Sequence, residues 1–213
     1  MPRHPFHQLP RARQDEILDV AGSEFARFGF QGTSYNRLLE RLHLGKSSAY
    51  YYFQDKRDLF LTVIARFYAT YFASIAELDR PTSPRGFWTF VGGVARQGFE
   101  FMSENPTAAG LMQCMYRERV LHGELMSLEL LTAMNEFYDG LIAEGQRLGA
   151  VRADIPQRLL VETVRNIAVG TDQWFISESQ VERPPTADEA ATLLTDLIRR
   201  VIEMRPREPT LTS

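Results

Sequence analysis

The stretch Leu38 to Phe60, LLERLHLGKSSAYYYFQDKRDLF, constrains this chain more than any other. It reads as the end of one helix, a turn at His43 to Gly45, a very short helix from Lys46, a second turn, and the start of a third helix. At 100° per residue from Lys46, Ala49 and Phe53 share one side and Ser47, Ser48 and Tyr51 share the opposite side. The apolar side is the one that packs. Lys46 and Tyr50 flank the outer face on one edge and Tyr52 on the other, so a two-turn helix carries a hydroxyl-rich, cationic surface with no reason to be buried. Recognition helices of helix-turn-helix units have this design, with small polar side chains toward base edges and aromatic hydroxyls and lysine toward phosphates.

The whole chain contains two lysines, Lys46 and Lys56, and both fall at first-turn positions of expected helices. A cation there opposes the helix dipole. It also makes a phosphate site, because free backbone N–H groups and the positive charge act on the same oxygen. The net charge of −3 argues against a polyanion as partner until its distribution is considered. Residues 1–60 hold nine Lys and Arg against seven Asp and Glu, whereas the remainder holds fifteen against twenty. The basic end is the end with the motif.

A chain of 213 residues, 44% hydrophobic and 24% charged, can bury a sizeable core in one large domain or two small ones. Its one cysteine, Cys114, cannot form an intrachain disulfide, and the N-terminal MPRHPFHQLP lacks the apolar core of a signal peptide. The most apolar stretch, Leu59 to Ile75, is interrupted by Arg66 and several hydroxyls, so no membrane span is expected. The expectation is a soluble, cytoplasmic protein with no membrane partner.

Residues 1–8 read as a disordered tail whose His4 and His7, without Cys or carboxylate support, make a poor metal site; no metal is expected. From Pro10 to Phe28, Ile17, Val20, Ala21, Phe25 and Phe28 recur at helical spacing, and Gly29 stops the helix. Thr33 and Ser34 offer alternative N-caps for a helix from Tyr35 to Leu42.

The run GFQGTSYNRLLERLHLGKSSAYYYFQDKRDLF resembles the N-terminal domain of the tetracycline-repressor (TetR) family of bacterial transcription regulators. The likeness covers about residues 9–62, with spacing kept without a gap from Gly29 through Leu59. The turn carries Leu42, His43 and Gly45 where the family usually has Ala, Gly and Ser. The resemblance implies an all-α fold of about nine helices: a three-helix DNA-binding domain at 9–55, a ligand-binding and dimerisation domain at 56–205, and a disordered tail at 206–213. Carried over by position, Ser34 and Tyr35, with Thr33 beside them, fall on contacts of the family's second helix with DNA. Lys46, Ser47, Ser48, Tyr50, Tyr51 and Tyr52 fall on contacts of the third, and Lys56 falls on a phosphate contact.

Beyond the motif, Asp55 with Asp58 forms a capping-box-like start for a helix to about Leu78. A helix over 85–104 carries Gly86, Gly92, Gly93 and Gly98, each costing roughly 1 kcal/mol relative to alanine. Close helix approach or space for a ligand would offset that cost. Thr107 to Arg117 forms a short helix, Arg119 to Leu148 a long one that includes His122, and 156–177 and 187–204 two more. Phe72, Trp88, Phe101, Met112, Met115, Tyr116, Asn135, Tyr138 and Trp174 are the expected walls of a pocket for a mostly apolar or aromatic effector. In the last two helices Val161, Val164, Ala168, Thr171 and Phe175, with Leu193, Leu194, Leu197 and Val201, form stripes expected to build a homodimeric four-helix bundle.

Three functions fit: a ligand-responsive DNA-binding repressor, an all-helical enzyme or small-molecule carrier, and a DNA-binding regulator without an effector. The enzyme reading needs a nucleophile with a base, paired carboxylates or a metal cluster, and no such group is recognisable. The first reading leads: not an enzyme, no cofactor, and three partners, namely a double-stranded palindromic operator, a small-molecule effector and a second copy of the chain.

Overall fold

The computed structural model describes residues 2–117, 128–179 and 181–204. Among these there are ten helices, no strand, and one isolated bridge between Val151 and Glu203. The helices are α1 (His4–His7), α2 (Arg11–Gly32), α3 (Tyr35–Arg41), α4 (Lys46–Tyr52), α5 (Lys56–Ala76), α6 (Pro84–Glu104), α7 (Pro106–Arg117), α8 (Leu128–Arg147), α9 (Gln157–Glu178) and α10 (Ala187–Ile202). They group into two compact units, the described residues of Met1–Ala76 with Glu100–Ala133, and of Glu77–Phe99 with Met134–Ser213.

In the first unit α2 is the organising element, touching α3, α5 and α7. Its apolar stripe of Ile17, Ala21 and Phe25 is fully buried, and Phe25 meets Phe60 of α5 edge to face at 5.0 Å. The expected stop at Gly29 is a break: its φ of 73° and ψ of 172° interrupt the helix three residues before its assigned end. α7 crosses α2 so closely that a β-carbon at Gly110 would lie 2.7 Å from Cβ of Ala26 and 3.1 Å from its carbonyl oxygen. α5 is long and apolar enough, by length and composition alone, to cross a membrane, with a mean hydropathy of 1.5 over its best window. Here Leu59, Phe60 and Ile64 are buried in the core, and mid-helix Arg66 pairs with Asp19 at 2.5 Å and Asp15 at 3.5 Å.

In the second unit α9 packs on α10, and Phe99 meets Phe175 at 4.7 Å. α10 opens with a full capping box, Thr186 accepting from the Glu189 N–H while the Glu189 carboxylate accepts from the Thr186 N–H. A β-carbon at Gly145 would sit 2.7 Å from the Phe87 ring, and Gly149 ends the α8 segment with φ 74°. Among the glycines of α6, Gly93 lies under Leu78 with room for ordinary contact at 3.4 Å, and Gly92 borders an open groove of about 400 Å³ with Thr195, Arg96 and Arg199.

Three expectations need correction. The described residues 2–8 of the expected tail are ordered in the fold: α1 lies against α4, because Phe6 is an apolar anchor, 2% exposed, beside Phe53. The boundary at residue 55 is not a packing boundary, since α5 and α7 both rest on α2. The α9 stripe assigned to a dimer is core: Val161, Val164, Thr171 and Phe175 are buried within the chain, as is Leu194, and Ala168 is half-buried. The periodicity was that of a buried face, and a helix between two layers carries such a face for its own chain first. Residues 119–127 of the expected Arg119 to Leu148 helix, with His122, and the tail at 206–213 lie outside the described residues, and α8 is the remainder of that helix.

Candidate nucleic-acid interface

α4 has only two turns, so its orientation comes from its ends and its inner side. Ala49 and Phe53 are fully buried. Lys46, Ser47, Ser48, Tyr50 and Tyr51 are exposed, Tyr51 by 58%, and Tyr52 is half-buried. The turn before it uses His43 in the left-handed region with φ 51°, the one such non-glycine residue among the described residues. Gly45 then occupies the N-cap of α4 with no side-chain hydrogen bond, leaving the first amides of the helix without a side-chain cap.

The helix ends of this unit are closed by cations reaching across from other elements. Arg13 of α2 donates to Leu42 O at the end of α3, at 2.7 Å. Lys56 donates to Phe30 O at 2.7 Å and Thr33 O at 3.0 Å, with its ammonium 4.5 Å from the centre of the Phe30 ring. Arg3 donates from Nη1 to Tyr50 O at 2.7 Å and from its backbone N–H to Tyr52 O at 2.9 Å. A cation at a carboxyl end meets unpaired carbonyls and the negative pole of the helix, so each of these clasps is favourable. Arg41 of α3 pairs with the buried carboxylate of Glu24 on α2, which fixes the remaining side of α3.

Three residues expected to touch DNA have partners within the fold. Thr33 is 2% exposed and its hydroxyl donates to Gly29 O at 2.7 Å, so it ties the break in α2. Ser34 is the N-cap of α3, accepting from the Arg37 N–H at 3.5 Å. Lys56 holds the link between α2 and α3 where a phosphate contact was expected; the first turn of α5 brings it to the carbonyls that end α2. Asp58 and Asp55 cap that turn as expected, the Asp58 N–H donating to Asp55 at 2.8 Å and the Gln54 N–H to Asp58 at 3.0 Å. Tyr35 is half-buried at the start of α3, 6.4 Å edge to face from Tyr50, and its hydroxyl is buried with no hydrogen-bond partner. Burial first, then Tyr50, Asp55 and Asp58, pushes its pKa up to about 12.

Of the nine expected pocket residues, five lie in the first unit and four in the second. In the first, Met115 is fully buried, while Phe72, Phe101, Met112 and Tyr116 are half-buried. Phe101 borders a groove of about 440 Å³ shared with Val63, Phe67 and Leu111 and rimmed by Arg66 and Asp19. In the second, Trp88 is buried, with the Arg199 guanidinium 5.6 Å from its ring centre. Trp174 is on the outward side of α9, because Val164 and Phe175 occupy the inward side. Asn135 and Tyr138 do come together, through a residue that sequence reading missed. Arg165 donates to Asn135 Oδ1 at 2.7 Å, lies 5.5 Å from the Tyr138 ring centre and leaves its buried Nε with no hydrogen-bond partner. Burial, with Asp172 adding and Arg165 opposing, pushes the Tyr138 phenol well above its ordinary range. Among the described residues no cluster of metal-ligating side chains occurs.

Residues 17–63 match the family described as bacterial regulatory proteins, tetR family, a span that holds most of α2, all of α3 and α4, and the first turns of α5. The chain is 21% identical over 185 residues to the HTH-type transcriptional repressor KstR2 of Rhodococcus jostii, covering 86% of this chain and 90% of that protein. It is 26% identical over 152 residues to the HTH-type transcriptional regulator RutR of Escherichia coli, covering 70% and 69%. The crystal structure of a TetR family transcriptional regulator from Chloroflexus aurantiacus superposes with a TM-score of 0.69 at 20% identity, covering 96% of this chain and all of that one. The outward hydroxyl and lysine face of the clasped two-turn helix α4 thus lies inside the segment, residues 17–63, that matches the DNA-binding part of the tetR family of bacterial regulatory proteins.

Proposed function

We propose that this protein is a repressor that binds a two-fold operator as a homodimer through α4, and that a small, mostly apolar effector releases it. The observation that carries the reading is α4 itself, whose inner side is fully buried while Lys46, Ser47, Ser48, Tyr50 and Tyr51 face outward. Lys46 takes a phosphate and Ser47, Ser48 and Tyr51 meet base edges, while Tyr35 and Ser34 support the edge of that surface. Lys56 acts in this reading by holding the α2–α3 link. The site of action is the cytoplasm, where the chromosome lies.

The dimer is supported by the outward face of α10. Leu193, Leu197 and Val201 recur every four residues and are 40%, 40% and 42% exposed, with Leu159 and Trp174 of α9 also outward. This reading replaces the α9 stripe by its opposite face and keeps the four-helix arrangement. For the effector, the support is Arg165, Asn135 and Tyr138, a polar group with an unmet donor on an aromatic ring. An effector with one hydrogen-bond acceptor on an apolar body suits that group.

The experiment is selection of duplexes from a random pool by the full-length protein, followed by affinity measurements over a salt series. Lys46→Ala should lower the salt slope by roughly 0.9, the loss of one phosphate contact. Tyr51→Ala should cost roughly 1–3 kcal/mol on the selected duplex and relax the sequence at one position. If neither variant changes binding, α4 is not the DNA surface. Effector candidates are then tested by their affinity with and without the selected duplex, which must differ by the same factor in both directions of linkage.

A further inference from the structure

The carboxyl end of α4 is closed by the segment ahead of α2. The Arg3 backbone N–H donates to Tyr52 O at 2.9 Å and its guanidinium to Tyr50 O at 2.7 Å. Phe6, 2% exposed, places its ring 4.9 Å from Phe53 and 6.4 Å from Tyr52. The turn that carries them is itself anchored, the Phe6 N–H donating to Arg3 O at 2.9 Å and Gln14 of α2 donating to Leu9 O at 2.8 Å. A helix of seven residues is far below the length that holds itself in water, and its last carbonyls have no partner within the helix. The three tyrosines that follow Ala49 all belong to that last turn.

We propose that Arg3 and Phe6 are positioning residues for operator recognition: they fix the last turn of α4, and with it the angle at which Tyr50, Tyr51 and Tyr52 meet DNA. Selectivity for one sequence over another then depends on two side chains that do not read bases. The proposal rests on the reading of α4 as the DNA surface. Phe6 cannot act on a phosphate, being apolar and buried. The Arg3 guanidinium is engaged by a carbonyl at the negative pole of the helix, which favours its staying there.

The test uses the full-length protein, a duplex selected by it from a random pool, and a scrambled duplex of the same length. Arg3→Ala and Phe6→Ala should each weaken binding to the selected duplex by on the order of tenfold, the loss of one charge-assisted bond or its packing equivalent. Binding to the scrambled duplex should change by less than about twofold, and the salt slope should not change, because no phosphate contact is lost. Phe6→Leu and Arg3→Lys should recover most of the selectivity, and the amides of Tyr52 and Phe53 should exchange faster in the alanine variants while those of α10 do not. An unchanged ratio of selected to scrambled affinity in Arg3→Ala overturns the proposal. So does an equal loss on both duplexes with the salt slope reduced by about 0.9, which would make Arg3 a phosphate ligand. Should Phe6→Ala fail to fold, Arg3→Ala decides alone, since its exposed side chain carries no core packing. Lys46→Ala separates the two readings: if it too leaves both duplexes unaffected, α4 itself is misassigned, and if it weakens both while the Arg3 and Phe6 variants do not, the positioning role alone is refuted.

Discussion

α4 and α10 each bury one side and expose the other, yet what they expose is opposite. α4 turns lysine, serines and tyrosine hydroxyls outward around a buried Ala49 and Phe53. α10 turns Leu193, Leu197 and Val201 outward around a buried Ala190, Leu194 and Ile198. The two are also held differently. α4 is pinned at its end by Arg3, as α3 is by Arg13, whereas α10 starts from its own capping box and rests on apolar contact with α9. A short helix that leaves its polar side free must borrow its stability from neighbouring cations and anchors. A longer helix with apolar residues on two sides has more apolar surface than its own chain covers. In the proposed reading the outward chemistry corresponds to two kinds of partner, a polyanion for α4 and a like apolar face for α10.

The largest effect expected from breaking this contrast is at α10. Leu197→Glu puts a charge into the proposed contact between copies, so light scattering should show a monomer at micromolar concentration. Operator affinity should then fall by about 10²-fold or more, since the two half-sites are no longer bound through one molecule. A stable dimer in that variant would mean the outward face of α10 is not the interface.

Next in size is Lys56→Ala. Two carbonyls at the end of α2 lose a charged donor, which should lower unfolding stability by roughly 1.5–3 kcal/mol. The salt slope for DNA should stay at the wild-type value, in contrast to Lys46→Ala. A slope lowered by about 0.9 with stability unchanged would return Lys56 to the role of a phosphate ligand.

That pair of lysines shows how much the sequence made legible. The periodicity around Lys46 gave the short helix, its buried Ala49 and Phe53 and its outward hydroxyls, because a 100° step needs only the residue order. The fate of Lys56 was out of reach, because Phe30 and Thr33 are 26 and 23 residues away and their carbonyls become available only through the break at Gly29. Phe6 was lost for a related reason: a single apolar residue among prolines and histidines has no period, so only the folded partner Phe53 reveals it as an anchor. On α9 the failure was different. Val161, Val164, Thr171 and Phe175 do form a stripe, but a stripe says that a face is buried and not whether the same chain or a second copy buries it. Arg165 was passed over because a charged residue in a helix ordinarily faces solvent, and its placement over Tyr138 depends on α8 and α9 meeting.

The smallest expected effect is at the edge of the α4 surface. The Tyr35 hydroxyl is buried without a partner, so Tyr35→Phe should raise stability by up to about 1 kcal/mol at neutral pH. The same change alters the alkaline limb. With the folded-state pKa raised to about 12 from an ordinary value near 10, the folded protein holds this proton after the unfolded chain has lost it. Its contribution is fully present below pH 10 and is lost as pH rises toward 12, and denaturant melts of Tyr35→Phe should lack that part of the decline. If the variant is less stable at pH 7, the hydroxyl has a partner that matters.

The contrast between the two outward faces is tested most directly by photo-crosslinking with a benzophenone side chain placed at Tyr51 in one variant and at Leu197 in another, each mixed with the selected duplex. The account expects Tyr51 to capture DNA and no second protein chain, and Leu197 to capture a second copy of the protein and no DNA. Capture of protein from Tyr51, or of DNA from Leu197, would contradict it.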